Sequence, residues 1–146
     1  MCGIVAQVGG TNIVANTING LRKLEYRGYD SFGVLFVDKN NIATLIKEIG
    51  GISQSEHDFS TLQDDYSIGI GHTRWATHGE VTVKNAHPQY SYNNRIFLVH
   101  NGIYENCTAN ENTDSLAIAN LLATSIHYEN EPNEQEKIKG WKDAIP

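Results

Sequence analysis

The chain has 146 residues, 40% of them hydrophobic and 19% charged, with a formal net charge of −6. That profile excludes a disordered chain, and an acidic balance without a basic run excludes nonspecific nucleic-acid binding. No apolar stretch approaches the ~20 residues of a membrane span, and the N-terminus shows no charged-then-apolar signal pattern, so the expected location is the cytoplasm.

The length suits one domain over 1–146, able to bury roughly 68–70% of its unfolded surface. In chain order, Ile4–Val8 is an apolar run closed by Gly9-Gly10 and predicts a strand. Val14, Ile18, Leu21 and Leu24 recur at helical spacing and predict an amphipathic helix over Ile13–Tyr26, stopped by Gly28. Phe32–Val37, the polar turn Asp38–Asn41 and Ile42–Ile46 form a hairpin pattern. Residues 50–65 are polar and irregular. Ile68–His72, with glycines at alternate positions, and Arg95–Val99, entered from an Asn93-Asn94 turn, read as two more strands. Thr113–Ser125 predicts a second helix, capped by Thr113 or Asp114, with Leu116, Ala119, Leu122, Ala123 and Ile126 on its apolar face. Glu129–Glu136 reads as a solvated loop or a poorly ordered stretch, and Trp141 and Ile145 suggest a docked helix beyond it or a boundary cut through something longer. Hairpins and helices without a βαβ rhythm predict an α+β fold with a largely antiparallel sheet.

Two cysteines, Cys2 and Cys107, make no disulfide framework, and a reduced compartment is the simpler reading. The six histidines show no zinc spacing. No metal and no cofactor are expected.

Four places carry chemistry. Cys2 stands directly after the initiator methionine. Loss of Met1 would give it a thiol and a free α-amine, whose ordinary pKa of about 7.7–8.0 makes it a usable base for its own thiol. A small buried cysteine is the plainer alternative. Leu24–Ser31 places Arg27, Gly28 and Asp30 at a helix end, which is equally an ordinary C-terminal turn. Gly71–Glu80 follows a strand and holds Arg74, a planar fork suited to a carboxylate, with Thr77, His78 and an apolar Trp75; an ordinary surface loop is the alternative. Val99–Gly102 ends the next strand. There Asn101 and the Gly102 N–H could make an oxyanion hole, or a plain hairpin turn. Together the four supply a nucleophile, a base, a carboxylate clamp and an oxyanion donor, the parts of an acyl-transfer site.

Met-Cys-Gly-Ile-Val, LEYRGYDS, GHTRWATHG with NAHP following, and HNGIYEN stand in that order over roughly residues 2–106. In motifs and spacing the chain resembles the class-II (N-terminal-nucleophile) glutaminase domains, in the form found in glutamine:fructose-6-phosphate amidotransferases. The resemblance implies a shortened Ntn-hydrolase αββα sandwich and glutamine as substrate. It assigns Cys2 as nucleophile, and Asn101 and Gly102 as the oxyanion hole. Arg74 would hold the substrate carboxylate, helped by Thr77 and His78, with Trp75 closing the site. Asp114 would take the substrate amine, Arg27 and Gly28 border the cysteine, and His87 lies in a supporting loop. The nitrogen would be released as ammonia or passed to an acceptor synthase or second chain.

The sequence departs from the family in three ways. Only six residues, Cys107–Asn112, stand where relatives carry a further helix and strand. The strands that complete the family's second sheet are not expected here, which would leave open edges and favour pairing with a second copy or a partner. No sugar-phosphate domain is recognisable. These departures keep a second reading open: a non-catalytic remnant that binds glutamine or a partner protein.

Overall fold

The computed structural model describes residues 1–63, 65–77, 79–104 and 113–125. Its elements are β1 (Gly3–Val8), α1 (Ile13–Leu24), β2 (Ser31–Asp38), β3 (Ala43–Ile49), β4 (Tyr66–Arg74), β5 (Gln89–Tyr90), β6 (Phe97–Leu98) and α2 (Asp114–Ser125). Four strands form one antiparallel sheet in the order β1-β4-β2-β3, and β5 and β6 form a separate antiparallel ribbon. The fold is α+β with antiparallel sheets, as the hairpin-and-helix pattern predicts.

Helix α1 buries Ile13, Val14, Thr17, Ile18 and Leu21, the three- and four-residue spacing of an amphipathic helix. It ends at Leu24, and Glu25 and Tyr26, the expected final residues, join Arg27 in a 3₁₀ turn before Gly28. The alternate glycines of β4 explain how the helix seats. A Cβ at Gly69 would stand 2.7 Å from Ile13 Cγ2, and one at Gly71 would stand 2.7 Å from Leu21 Cδ1. Phe32, Val34 and Phe36 of β2 fill the same layer, and Ile52 and Phe59 join the cluster from the irregular loop.

The opposite face of the sheet receives the 79–104 segment. At Gly33 a Cβ would collide with the His87 carbonyl oxygen, so this glycine lets the loop lie directly on the strand. Lys47, paired with Gly33 across β2 and β3, donates to the Lys84 carbonyl at 3.1 Å and sits 5.7 Å from the centre of the Tyr90 ring. Helix α2 lies against the ribbon, where Asn120 Oδ1 accepts from the Tyr92 N–H at 2.8 Å. The layers therefore run helix, sheet, ribbon, helix: a shortened αββα sandwich.

Two expectations need correction. The strand expected over Arg95–Val99 shrinks to Phe97–Leu98 and pairs with Gln89–Tyr90, which no sequence pattern marked as a strand. The Arg95 and Ile96 N–H groups donate instead to Ser91 Oγ and, for Arg95, Asn93 Oδ1, so the turn consumes the donors a longer ladder would need. The buried stripe of α2 is Ser115, Ala119 and Ala123, a row of small residues four apart, while Leu122 is 40% exposed. Ile126, Glu129–Glu136, Trp141, Ile145 and Cys107 lie outside the described residues. No helix among those described is long and apolar enough to cross a membrane.

Candidate active site

Strand β4 and β1 are neighbours with Gly3 opposite Thr73, so Cys2 falls beside the Arg74–Trp75 peptide at the sheet's end. The Trp75 N–H donates to Cys2 Sγ at 3.3 Å. Gly28 makes this approach possible: a Cβ there would lie 2.6 Å from the Arg74 carbonyl carbon and 2.7 Å from Trp75 N. The Cys2 carbonyl is held from two sides, accepting from Arg27 Nε at 3.4 Å and from Asn101 Nδ2 at 3.2 Å. Arg27 also reaches the Met1 sulfur at 3.7 Å, and Met1 itself is 79% exposed at the mouth of the site.

These residues border a cavity of about 600 Å³, a volume within the range of small-molecule sites. One wall is Cys2, Arg27, Arg74, Trp75 and Thr77; the other is Asn101, Gly102, Tyr104 and Asp114, with His72, His87 and His100 beneath. Arg74 is buried, and its guanidinium donates to the carbonyls of Glu80 at 3.1 Å and Gly79 at 3.5 Å, which ties the loop back onto the strand end. Asp30 fixes the other part of that loop by accepting from the Ala76 N–H at 2.8 Å. Trp75 stands edge-on to Tyr29 with ring centres 5.5 Å apart. His78, expected at this site, lies outside the described residues.

The start of α2 decides between its two capping candidates. Thr113 Oγ1 accepts from the Leu116 N–H at 3.2 Å and is the cap. Asp114 follows it into the first turn and turns its carboxylate toward the cavity, accepting from Ser115 N–H at 2.7 Å and Tyr104 N–H at 3.1 Å. His100 Nδ1 lies 3.9 Å from the same carboxylate and 3.3 Å from Ser115 Oγ.

Beneath the floor, the His72 and His87 rings stack with centres 4.2 Å apart. Burial lowers the His72 pKa to about 4, with Arg74 adding to the effect, and burial with His72 as neighbour lowers that of His87 to about 2. Both are neutral at pH 7. His87 Nδ1 accepts from the His100 N–H at 3.3 Å. Lys47 is lowered to about 8, again chiefly by burial and then by Arg74. Among the described residues no group of three or more His, Cys, Asp or Glu side chains is gathered as a metal cage.

The structure thus brings Cys2, Arg27, Arg74, Trp75, Thr77, His87, Asn101, Gly102 and Asp114 around one cavity, with Gly28 packed beneath its wall. Sequence reasoning missed His72, His100 and Tyr104. His72 stood inside a marked motif but was weighed only for metal spacing, and Tyr104 acts through its backbone, which leaves no side-chain signal.

No protein-family model matches the chain. It is 51% identical over 106 residues to the glutamine–fructose-6-phosphate aminotransferase (isomerizing) of Lactiplantibacillus plantarum, covering 73% of this chain and 17% of that protein. The protein of the same name from Streptococcus agalactiae serotype V is 52% identical over 108 residues, with the same coverage. The one from Buchnera aphidicola subsp. Acyrthosiphon pisum is 39% identical over 157 residues, covering 99% of this chain and 25% of that protein. The chain spans at most about a quarter of the length of these curated relatives.

Proposed function

We propose that the chain hydrolyses the side-chain amide of glutamine through Cys2, on the strength of its similarity to the glutamine–fructose-6-phosphate aminotransferases. The observation that carries this reading is the meeting of the Cys2 thiol, the Asn101 amide, Arg74 and Asp114 around one cavity of about 600 Å³.

The chemistry follows from those positions. Removal of the exposed Met1 frees the Cys2 α-amine, which accepts the thiol proton. The sulfur attacks the amide carbon of glutamine, and the carbonyl oxygen takes up negative charge. Asn101 Nδ2, which has one N–H on the Cys2 carbonyl and would offer its other to substrate, and the Gly102 N–H are the donors proposed to hold that oxygen. The proton returns to the leaving nitrogen, ammonia departs, and a γ-glutamyl thioester remains on Cys2. Water then cleaves the thioester, giving glutamate and the free thiol. Arg74, with Thr77 and His78, is assigned the substrate α-carboxylate, and Asp114 the α-ammonium. Trp75 covers the site; Arg27 and Gly28 border the cysteine. His87 supports the floor. The ammonia is released or handed to a partner that carries the acceptor, which for the relatives is fructose 6-phosphate by their name.

The test compares ammonia release from glutamine by wild type and Cys2→Ala, with the intact mass checked for loss of Met1. The expected outcome is release by the processed wild type and none above background by the variant. Equal, slow release by both would discard the enzymatic reading in favour of a non-catalytic glutamine- or partner-binding protein.

A further inference from the structure

The hydrogen bond between His72 Nε2 and Asn101 Oδ1 is 2.8 Å long, and its direction is determined by what lies on either side. Asn101 Nδ2 faces the Cys2 carbonyl at 3.2 Å, which can only accept, so the nitrogen end of the amide must point there. The oxygen end therefore faces His72, and His72 must donate from Nε2. Its other ring nitrogen, Nδ1, is buried and meets no hydrogen-bond partner among the described residues, as suits an unprotonated nitrogen. With the proton on Nδ1 instead, Nε2 would accept, the Asn101 amide would turn over, and its oxygen would face the Cys2 carbonyl and the cavity.

We propose that His72 is a positioning residue of the oxyanion site: carrying its proton on Nε2, it fixes the Asn101 amide so that the N–H end faces the reacting carbonyl. This rests on the glutaminase reading above. His72 acts through Asn101 in this reading rather than on the substrate itself. It is 1% exposed, and the stacked His87 ring backs it. His87 in turn holds the His100 N–H, one residue before Asn101. Side chain and backbone of the 100–101 segment are thus each anchored by one imidazole. A rigid support matters because an oxyanion donor acts only if it is already aimed when charge develops.

The test uses the full chain with Met1 removed. His72→Leu deletes the donor, and His72→Gln keeps an N–H at the end of a side chain of similar reach. The expected result is a kcat lower by about 10- to 100-fold in the Leu variant, less than the loss of an oxyanion donor itself. The KM for glutamine should stay within about threefold, and the Gln variant should recover most of kcat. Because a buried histidine can be needed for folding, ¹⁵N NMR of the histidine-labelled wild type reads the tautomer without any substitution, and a protonated Nε2 with bare Nδ1 is expected. A His72 protonated on Nδ1 overturns the inference even in an active glutaminase, as does a folded Leu variant with unchanged kcat. Wild type that releases no ammonia overturns the glutaminase reading, and the inference falls with it.

Discussion

The two faces of the four-stranded sheet are built on opposite terms. Toward α1, β2 presents Phe32, Val34 and Phe36, and β4 presents glycines into which Ile13 and Leu21 fit. That face is an apolar layer. Toward the ribbon, the same two strands present Gly33, His72 and Arg74, and the layer is made of stacked imidazoles, a guanidinium and backbone carbonyls. The period of two along a strand lets one sequence serve both faces. The difference separates stability from chemistry: damage on the α1 side should unfold the protein, and damage on the ribbon side should misalign the site.

The largest effect is expected on the apolar face. Leu21 is 0% exposed, and Leu21→Ala should cost about 2–5 kcal/mol of stability, read as a lower denaturant midpoint, while the KM for glutamine at a temperature where the variant stays folded is unchanged. A shifted KM would mean the two faces are coupled.

Acid should act on the other face. The folded-state pKa values of His72 and His87, about 4 and about 2, lie below the ordinary 6.5. The unfolded chain therefore takes up protons that the folded one refuses. Stability is full above about pH 6.5 and is lost as pH falls toward 4, by on the order of 2–3 kcal/mol for His72 alone. Melting temperature against pH checks this, and His87→Gln should flatten the slope between pH 6.5 and 4. An unaltered slope would assign the acid sensitivity elsewhere.

Gly33→Ala sharpens the contrast, since the added methyl meets the His87 backbone rather than a flexible side chain. It should cost about 1–3 kcal/mol and lower kcat at least about tenfold by lifting the loop that supports His72. Thermal unfolding and steady-state kinetics of the same sample separate the two losses; a destabilised variant with unchanged kcat would show that the loop's seat does not govern the site.

The smallest effect in energy is at Asp114. Thr113 is the cap of α2, so Asp114→Asn should leave the melting temperature nearly unchanged. It should raise the KM for glutamine at least about tenfold, or about 1.4 kcal/mol, through the lost partner of the substrate ammonium. Wild-type affinity in the Asn variant would remove Asp114 from the site.

Much of the site was legible because its parts sit at strand and helix ends that the sequence marks. Cys2, Arg74 and Asn101 each adjoin an apolar run, and the four motifs are local strings. What the strings leave open is partnership. Thr113 and Asp114 are adjacent, and only the hydrogen bonds assign the cap to one and the cavity to the other. Leu122 fits a helical apolar stripe, yet the small residues Ser115, Ala119 and Ala123 face the ribbon. The two-residue pairing of Gln89–Tyr90 with Phe97–Leu98 is too short to leave a period.

By itself the sequence determined α1, the β2–β3 hairpin, β4 and the identity of the candidate groups. Periodicity and turn residues act over a few neighbours, and chemistry resides in side-chain type. The tertiary structure alone decided that Cys2 meets Trp75, that Asn101 turns its nitrogen toward Cys2 and its oxygen toward His72, and that His87 lies on Gly33. Those contacts join residues up to 99 positions apart. They depend on which face of the sheet each strand offers and on how closely a glycine lets another backbone approach, and neither is set until the strands have paired.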